Sequence, residues 1–363
     1  MSLPSPGAVE LLKIDGSTGE GGGQIVRLAL FLSIIKGTPI EIFNIRRGKR
    51  KPGLKRQHLH VIKALEAITE STCEGAHLGS QTVRFSPGKI KGGQATVEFG
   101  TAGSIPLFLQ TLLPVSIFAS SPVSLTIKGG TDVPMGPTLE FTRHLYLPFL
   151  RPLAYKLELK VVRRGFYPVG DGEVRLLCHP KQPREGLAWE EFLEHLQTYG
   201  PLEPGSEKIP SIAGISIASS SLKERKVAER QAQKAQSLLD KHLNISTHIE
   251  TLYQPSSSPG SAITLWLKDP QRTLGADAQG ARGKPAEKVA EGAVNILLKE
   301  YASEAQVDRH LADHLVPWIG LMGGEIRVSR ITQHLETGVW LYNLMIPEKP
   351  VKLKGNILSS LTS

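Results

Sequence analysis

The chain has 363 residues, of which 40% are hydrophobic and 21% charged; 43 Lys and Arg against 34 Asp and Glu leave a net charge of +9. That balance excludes disorder, is long enough for two or three domains with a real core, and points to polyanionic partners such as nucleic acid or nucleotide. With 36 Gly, 25 Pro and only 6% aromatics, a fold with many tight turns is favoured over a helical bundle.

Residues 1–8 carry no cation ahead of an apolar stretch, so no ordinary secretory signal is expected. The longest apolar run, 25–35, is interrupted by Arg27 and falls far short of the ~20 residues of a membrane span. A soluble, cytoplasmic protein with no membrane partner is expected. The predicted elements begin with a strand over 10–15, a glycine-rich turn over 16–23, and a helix. In that helix Val26, Leu28, Leu30, Phe31, Ile34 and Ile35 form a broad apolar stripe. The turn, GSTGEGGGQ at 16–24, has neither the Rossmann spacing nor the Gly-Lys-Ser/Thr end of a Walker A loop. Its glycines suit a tight turn with positive φ, or equally a cradle whose free N–H groups meet phosphate at a helix N-terminus. Glu20 favours the cradle, because a carboxylate there repels phosphate unless it holds a bridging Mg²⁺.

A strand over 39–45 leads into RRGKRKPGLKR at 46–56, seven cations in eleven residues. Charge this dense releases counterions when it binds a nucleic-acid strand, so salt would weaken RNA binding steeply. The plainer reading is a solvated face or a targeting tag. Pro52 and Gly53 instead bend the run into a turn feeding a helix over 58–68, beside the glycine turn's helix. Short strands at 81–85 and 95–99 follow, then GTAGS at 100–104 and a helix over 107–119. A strand over 123–128 ends at GGTD, 129–132, with another helix after Pro137. Strand, Gly-rich turn, amphipathic helix and strand thus recur about every 60–100 residues, a loose internal repeat of an α/β unit. GFYPVGDG at 165–172 reads as a turn between strands.

From Lys181 to Asp269 the chain becomes more polar and Gln/Ser-rich, with a charged helix over 222–243. The expected fold class is therefore α/β (α+β). A large domain of repeated βαβαββ-like units, 1–182 and 271–363, is interrupted by a small inserted α/β domain, 183–270. The large domain is expected to resume with a helix over 285–301. A helix over 306–318 carries His310, Asp313 and His314. The two histidines could chelate zinc, but there is no third ligand and no Glu in the metalloprotease position, so no structural zinc is expected. His334, in ITQHLET at 331–337, lies between β-like runs and alone reads as a satisfied structural histidine. Cys73 and Cys178 form neither a disulfide framework nor a metal cluster, which suits a reducing compartment.

Seven segments taken together resemble the RNA 3′-terminal phosphate cyclase family. They are DGSTGEGGGQIVR at 15–27, KPGLKRQH at 51–58, GTAGS at 100–104 with LQT at 109–111, GGTD at 129–132, RGFYP at 164–168, LAD at 311–313 and TQHLET at 332–337. They occur in the family's order and leave only the insert weakly covered. The resemblance implies a large domain of repeated α/β units with a small inserted one. It implies ATP-dependent conversion of an RNA 3′-phosphate end into a 2′,3′-cyclic phosphate, releasing AMP and pyrophosphate. The implied intermediates are a covalent histidine–AMP and RNA-(3′)pp(5′)A, and the implied cofactors are ATP and Mg²⁺ or Mn²⁺.

Matched by position, His334 is the nucleophile and Glu20 the metal-binding carboxylate. Arg27, Arg46 and Lys49 match residues that handle the phosphates of ATP or of the RNA end, joined at the RNA by Lys51, Arg56, Gln57 and His58. Gln110, Pro137, Phe141, Asp313 and His314 match positions around the nucleotide, Phe141 as an apolar wall for adenine. The sequence also departs from the family. Lys49 stands where some members have Arg, keeping charge without bidentate geometry. His310 and His314 stand where Tyr and Gln are familiar, Asp171 interrupts a run of glycines, and Gly338 replaces a common Asn. Two rival readings remain: a non-catalytic RNA-binding relative of the ribosome-biogenesis kind, which lacks the histidine, and a small-molecule enzyme of related repeated architecture, such as an enolpyruvyl transferase, which needs no ATP.

Overall fold

The computed structural model describes residues 11–205 and 208–360. Residues 1–8, where no signal is expected, and residue 10, the expected start of the first strand, lie outside them. The first unit opens with β1 (Leu12–Asp15), which pairs in parallel with β2 (Ile40–Phe43). The crossover between them is α1 (Gly23–Lys36). This helix ends where Gly37 adopts the left-handed conformation (φ 74°) and its N–H closes on the Ser33 carbonyl. After α2 (Arg56–Ile68), β3 (Thr72–Glu74) and β4 (Val83–Ser86) complete a sheet of order β1-β2-β4-β3. α2 buries Val61, Ile62, Leu65 and Ile68, the one-sided spacing of a helix that covers a sheet.

The second unit repeats this plan. β5 (Gly93–Glu98), α3 (Ile105–Ile117) and β6 (Val123–Gly129) form the parallel crossover. α4 (Leu139–Phe141) runs through a π turn at Thr142–Tyr146 into α5 (Leu147–Leu150). The hairpin β7 (Ala154–Arg163) and β8 (Gly172–Pro180) closes the order β5-β6-β8-β7, so the 165–172 segment is the expected turn.

Beyond α6 (Trp189–Gln197), the strand order changes. β9 (Ser211–Ser219), α7 (Val227–His242), β10 (Ser246–Gln254), β11 (Ser261–Lys268), β12 (Thr273–Gln279) and α8 (Ala286–Ala302) build a sheet of order β10-β9-β11-β12. α7 and α8 pack on each other and on this sheet. Leu239 of α7 and Val289, Val294 and Leu297 of α8 share a separate core with Ile212, Ile263 and Leu265.

The last unit is abbreviated. Its first strand is reduced to Val307, which bridges Val328 in parallel, and also bridges Thr273 of β12. α9 (Arg309–Met322), β13 (Gly324–Arg327), α10 (Gln333–Met345), β14 (Lys352–Lys354) and β15 (Ile357–Ser360) follow, in sheet order β13-β15-β14. Three βαβαββ units with one strand order thus make an α/β fold around a shared core, with α1 packed between α3 and α10. No helix among the described residues is long and apolar enough to cross a membrane.

Two expectations are corrected. The helix expected to resume the large domain, α8, instead covers the β10-β9-β11-β12 sheet and shares its separate core, so that unit runs past residue 270. His334 does not lie between strands; it is the second residue of α10. The side chain of Thr332 caps this helix by accepting the Leu335 N–H at 2.9 Å, and Leu335, Leu341, Tyr342 and Met345 bury one face. The β-branched pair Ile331-Thr332 reads as strand locally, but a threonine at an N-cap begins a helix.

Candidate active site

Two helix N-termini converge where the first and last units meet. The glycine turn brings the chain to the start of α1, and Gly22, its N-cap, offers no side chain to satisfy the free N–H groups. Gly19 is required here on two counts. It has φ +59°, and a Cβ there would come within 2.2 Å of Thr337 Oγ1 on α10. That same Oγ1 accepts the Glu20 N–H at 3.2 Å and donates to the Gln333 carbonyl at 2.6 Å, so turn and helix are buttoned together.

Gln24, in the first turn of α1, grips His334 twice. Its Nε2 donates to the His334 carbonyl at 3.0 Å, and its Oε1 lies 2.7 Å from His334 Nδ1. A carbonyl oxygen can only accept, so the amide nitrogen must face it and the amide oxygen must face the ring. Nδ1 therefore carries the proton, and the lone pair is on Nε2. Glu20 Oε2 approaches Nδ1 from another side at 3.3 Å, while its Oε1 pairs with Lys49 Nζ at 2.9 Å. Desolvation, with Arg27 and Lys49, pulls His334 below the usual histidine range although Glu20 opposes them. The imidazole is neutral at pH 7.

His334 stands at a cavity of about 330 Å³ that reaches between α1, α3, α4 and α9. Of the residues expected around nucleotide, Gln110, Pro137, Phe141, Asp313 and His314 all line it, as does Arg27. Arg27 is buried and donates from Nε to Gln110 Oε1 at 2.9 Å. Burial lowers it to about 10, opposed by Glu20, so it remains a cation. Gln110 in turn meets His314 Nε2 at 3.3 Å. Desolvation, aided by His310 and Arg27, drives His314 down to about 3, so it serves as a neutral hydrogen-bonding group. Desolvation raises Asp313 to about 7, against a 2.8 Å hydrogen bond from Thr332 Oγ1. Because Thr332 also caps α10, Asp313 is tied to the helix that carries His334.

The remaining expected residues lie outside this cavity. Arg46 is buried beneath the basic loop, donating to the carbonyls of Lys51 (2.6 Å) and Gly53 (3.1 Å) and so bracing the turn. Lys51 and Arg56 are exposed, and Gln57 is half-buried in the first turn of α2. His58 is buried behind the glycine turn, where burial, Arg27, Arg46 and Lys55 push it down to about 3. Its Nδ1 accepts the Lys55 N–H at 3.0 Å, which leaves the proton on Nε2, a buried atom with no partner among the described residues. A Cβ on Gly23 would lie 2.3 Å from that atom. Three polar lining residues had no role assigned from sequence: Gln24, Tyr146 and Asp277. Gln24 sits inside one of the motifs of the resemblance; Asp277, on β12, gave no local signal.

Fold and site together define an α/β protein of repeated βαβαββ units, with a histidine-bearing cavity opening beside a glycine turn and a basic loop. A profile of the RNA 3′-terminal phosphate cyclase family matches residues 18–350. The chain is 40% identical over 347 residues to the RNA 3′-terminal phosphate cyclase of Pyrococcus furiosus, covering 96% of each. It is 38% identical over 355 residues to that of Methanopyrus kandleri, again 96% of each, and 41% identical over 336 residues to that of Thermococcus kodakarensis, 92% of each. The chain belongs to the RNA 3′-terminal phosphate cyclase family.

Proposed function

We propose that this chain is an ATP-dependent RNA 3′-terminal phosphate cyclase that works through a covalent histidine–AMP. One observation carries the reading: Gln24 holds His334 as a neutral Nδ1–H tautomer with its Nε2 lone pair free at a cavity of nucleotide size. In the first step Nε2 attacks the α-phosphorus of ATP, and pyrophosphate leaves. A 3′-phosphate oxygen of the RNA then displaces the histidine from that phosphorus, giving RNA-(3′)pp(5′)A. The 2′-OH finally attacks the 3′-phosphorus and expels AMP, closing the 2′,3′-cyclic phosphate. This last step is intramolecular, so proximity is already supplied and the protein need only orient the end.

The charges suit these steps. Arg27 and the open N-terminus of α1 offer fixed positive potential to the α-phosphate and pyrophosphate, while the exposed cations Lys51 and Arg56 are available to an RNA end. Glu20 is the residue that would hold Mg²⁺ or Mn²⁺. Such an ion commonly takes one or two carboxylates and completes its shell with water and substrate phosphates, which fits a single carboxylate beside a phosphate cradle. Among the described residues no group of three His, Cys, Asp or Glu stands ready to hold a metal without substrate. Bound there, the ion would neutralise the leaving pyrophosphate.

Incubation with α-labelled ATP and Mg²⁺ should leave an acid-labile label on the protein, and a 3′-phosphorylated oligoribonucleotide should chase it off as the cyclic product forms. His334→Ala should take up none. Undiminished labelling of that variant refutes the nucleophile.

A further inference from the structure

Asp277 is the one lining residue of the cavity that comes from the β10-β9-β11-β12 sheet, near the end of β12. Its Oδ2 accepts the Thr138 N–H at 2.6 Å, which pins the carboxyl against the start of α4. Gln279, two residues on, donates to the Gly136 carbonyl at 3.0 Å, and a Cβ on Gly275, two residues back, would come within 3.0 Å of Phe141 Cε2. The strand is therefore clamped along the wall that carries Pro137 and Phe141. No Lys, Arg or His forms an ion pair with Asp277 among the described residues. Asp277 is half-buried, and a carboxyl drawn partly out of water without a cation is costly unless a ligand supplies its partner.

The arrangement also orients the ligand. Arg27, Lys49 and the α1 N-terminus gather at His334, so phosphates belong there, and a carboxyl repels them from the Asp277 wall. The group facing Asp277 is then the base, between the apolar surfaces of Pro137 and Phe141. We propose that Asp277 is the base-selecting residue of the site, accepting a hydrogen bond from the 6-amino group of adenine. The proposal rests on the nucleotide reading above and deepens it. Desolvation raises the Asp277 carboxyl, with Asp132 adding to it against the bonds from Thr138. In its protonated form it would also donate to adenine N1, a pairing that guanine, with a proton on N1, cannot match.

The test compares initial rates of protein labelling from α-labelled ATP and from α-labelled purine riboside triphosphate, which lacks the 6-amino group. Wild type should favour ATP by about tenfold or more, because a site built to bond a polar group discriminates strongly against its absence. Asp277→Ala should bring the two rates within about twofold by slowing ATP alone. Asp277→Asn is isosteric and keeps an acceptor without charge, so it is the fold-preserving variant and should lose at least about threefold of the preference. Equal wild-type rates, or a preference that survives in both variants, overturns the proposal. Titration calorimetry with ATP separates the two layers: binding without labelling refutes the adenylation while the same variants still test base selection by affinity, and no binding overturns both.

Discussion

Gln24 fixes which nitrogen of His334 carries the proton and which is free for the proposed attack on ATP, and its replacement tests that logic directly. Gln24→Ala removes both the bond to the His334 carbonyl and the acceptor for Nδ1–H. Two neutral hydrogen bonds are worth about 1–3 kcal/mol together, so AMP transfer should slow by roughly 5- to 150-fold. Gln24→Glu keeps the shape, loses the donor to the His334 carbonyl as Gln24→Ala does, and replaces the neutral acceptor by a second carboxylate beside Glu20. An adjacent opposite charge raises a histidine by about one to two pH units, from a position now below its usual range. Transfer needs the neutral ring, so wild type should be near its plateau at pH 7 and lose rate only in more acid solution. The variant should then be slower than wild type at pH 7 and recover as pH rises, its whole profile displaced by about one to two units to the alkaline side. The assay is single-turnover labelling with α-labelled ATP across pH, read as a first-order rate. A Gln24→Glu profile that overlays wild type, or a Gln24→Ala rate within twofold of it, refutes the tautomer argument.

Two further outcomes follow from packing. Gly23→Ala places a methyl 2.3 Å from His58 Nε2 and 3.1 Å from Arg27 Nη1, and His58 cannot retreat because its ring is buried and held by Lys55. Overpacking of about 1–3 kcal/mol should exceed the small gain in helix propensity, lowering the melting temperature by about 1–4 °C in calorimetry and cutting ATP labelling at least about tenfold. Arg164 lies buried between Asp132 (3.2 Å) and Glu140, so Arg164→Met leaves two desolvated carboxylates and should cost about 3–5 kcal/mol in urea unfolding at pH 7. Burial pushes Glu140 upward, but His144, Arg164 and Arg143 outweigh it and hold it at about 2. The stability this gives is present above the unfolded carboxylate range and fades as pH falls towards 2. Wild type should therefore lose more stability than the variant between pH 7 and pH 3.5; an equal loss in both refutes the pairing.

Much of the architecture was legible because its causes are local. The glycine turn at 16–23, the apolar stripe from Val26 to Ile35 and the cations feeding α2 are short-range patterns, and α1 and α2 stand where those patterns put them. The recurrence of strand, turn, helix and strand likewise announced repeated α/β units, since a two-residue and a 3.6-residue period are properties of contiguous chain. The helix around His334 was missed because it is decided by a cap and a partner. Thr332 closes its first turn, and Thr337 meets a glycine turn more than three hundred residues away.

The sequence by itself determined the periodic elements, the concentration of cations at 46–56 and a candidate set of residues scattered from Glu20 to His334. Tertiary structure decided their chemistry. Contact with Gln24, 310 residues distant, sets the proton on His334, and β12 carries Asp277 into a cavity formed by other units. α8, whose apolar stripe is plain in sequence, covers the β10-β9-β11-β12 sheet because its face meets Ile263 and Leu265 there. Hydrogen-bond partners, desolvation and the neighbour of a buried face belong to pairs of distant segments, and they exist only once burial has brought those segments together.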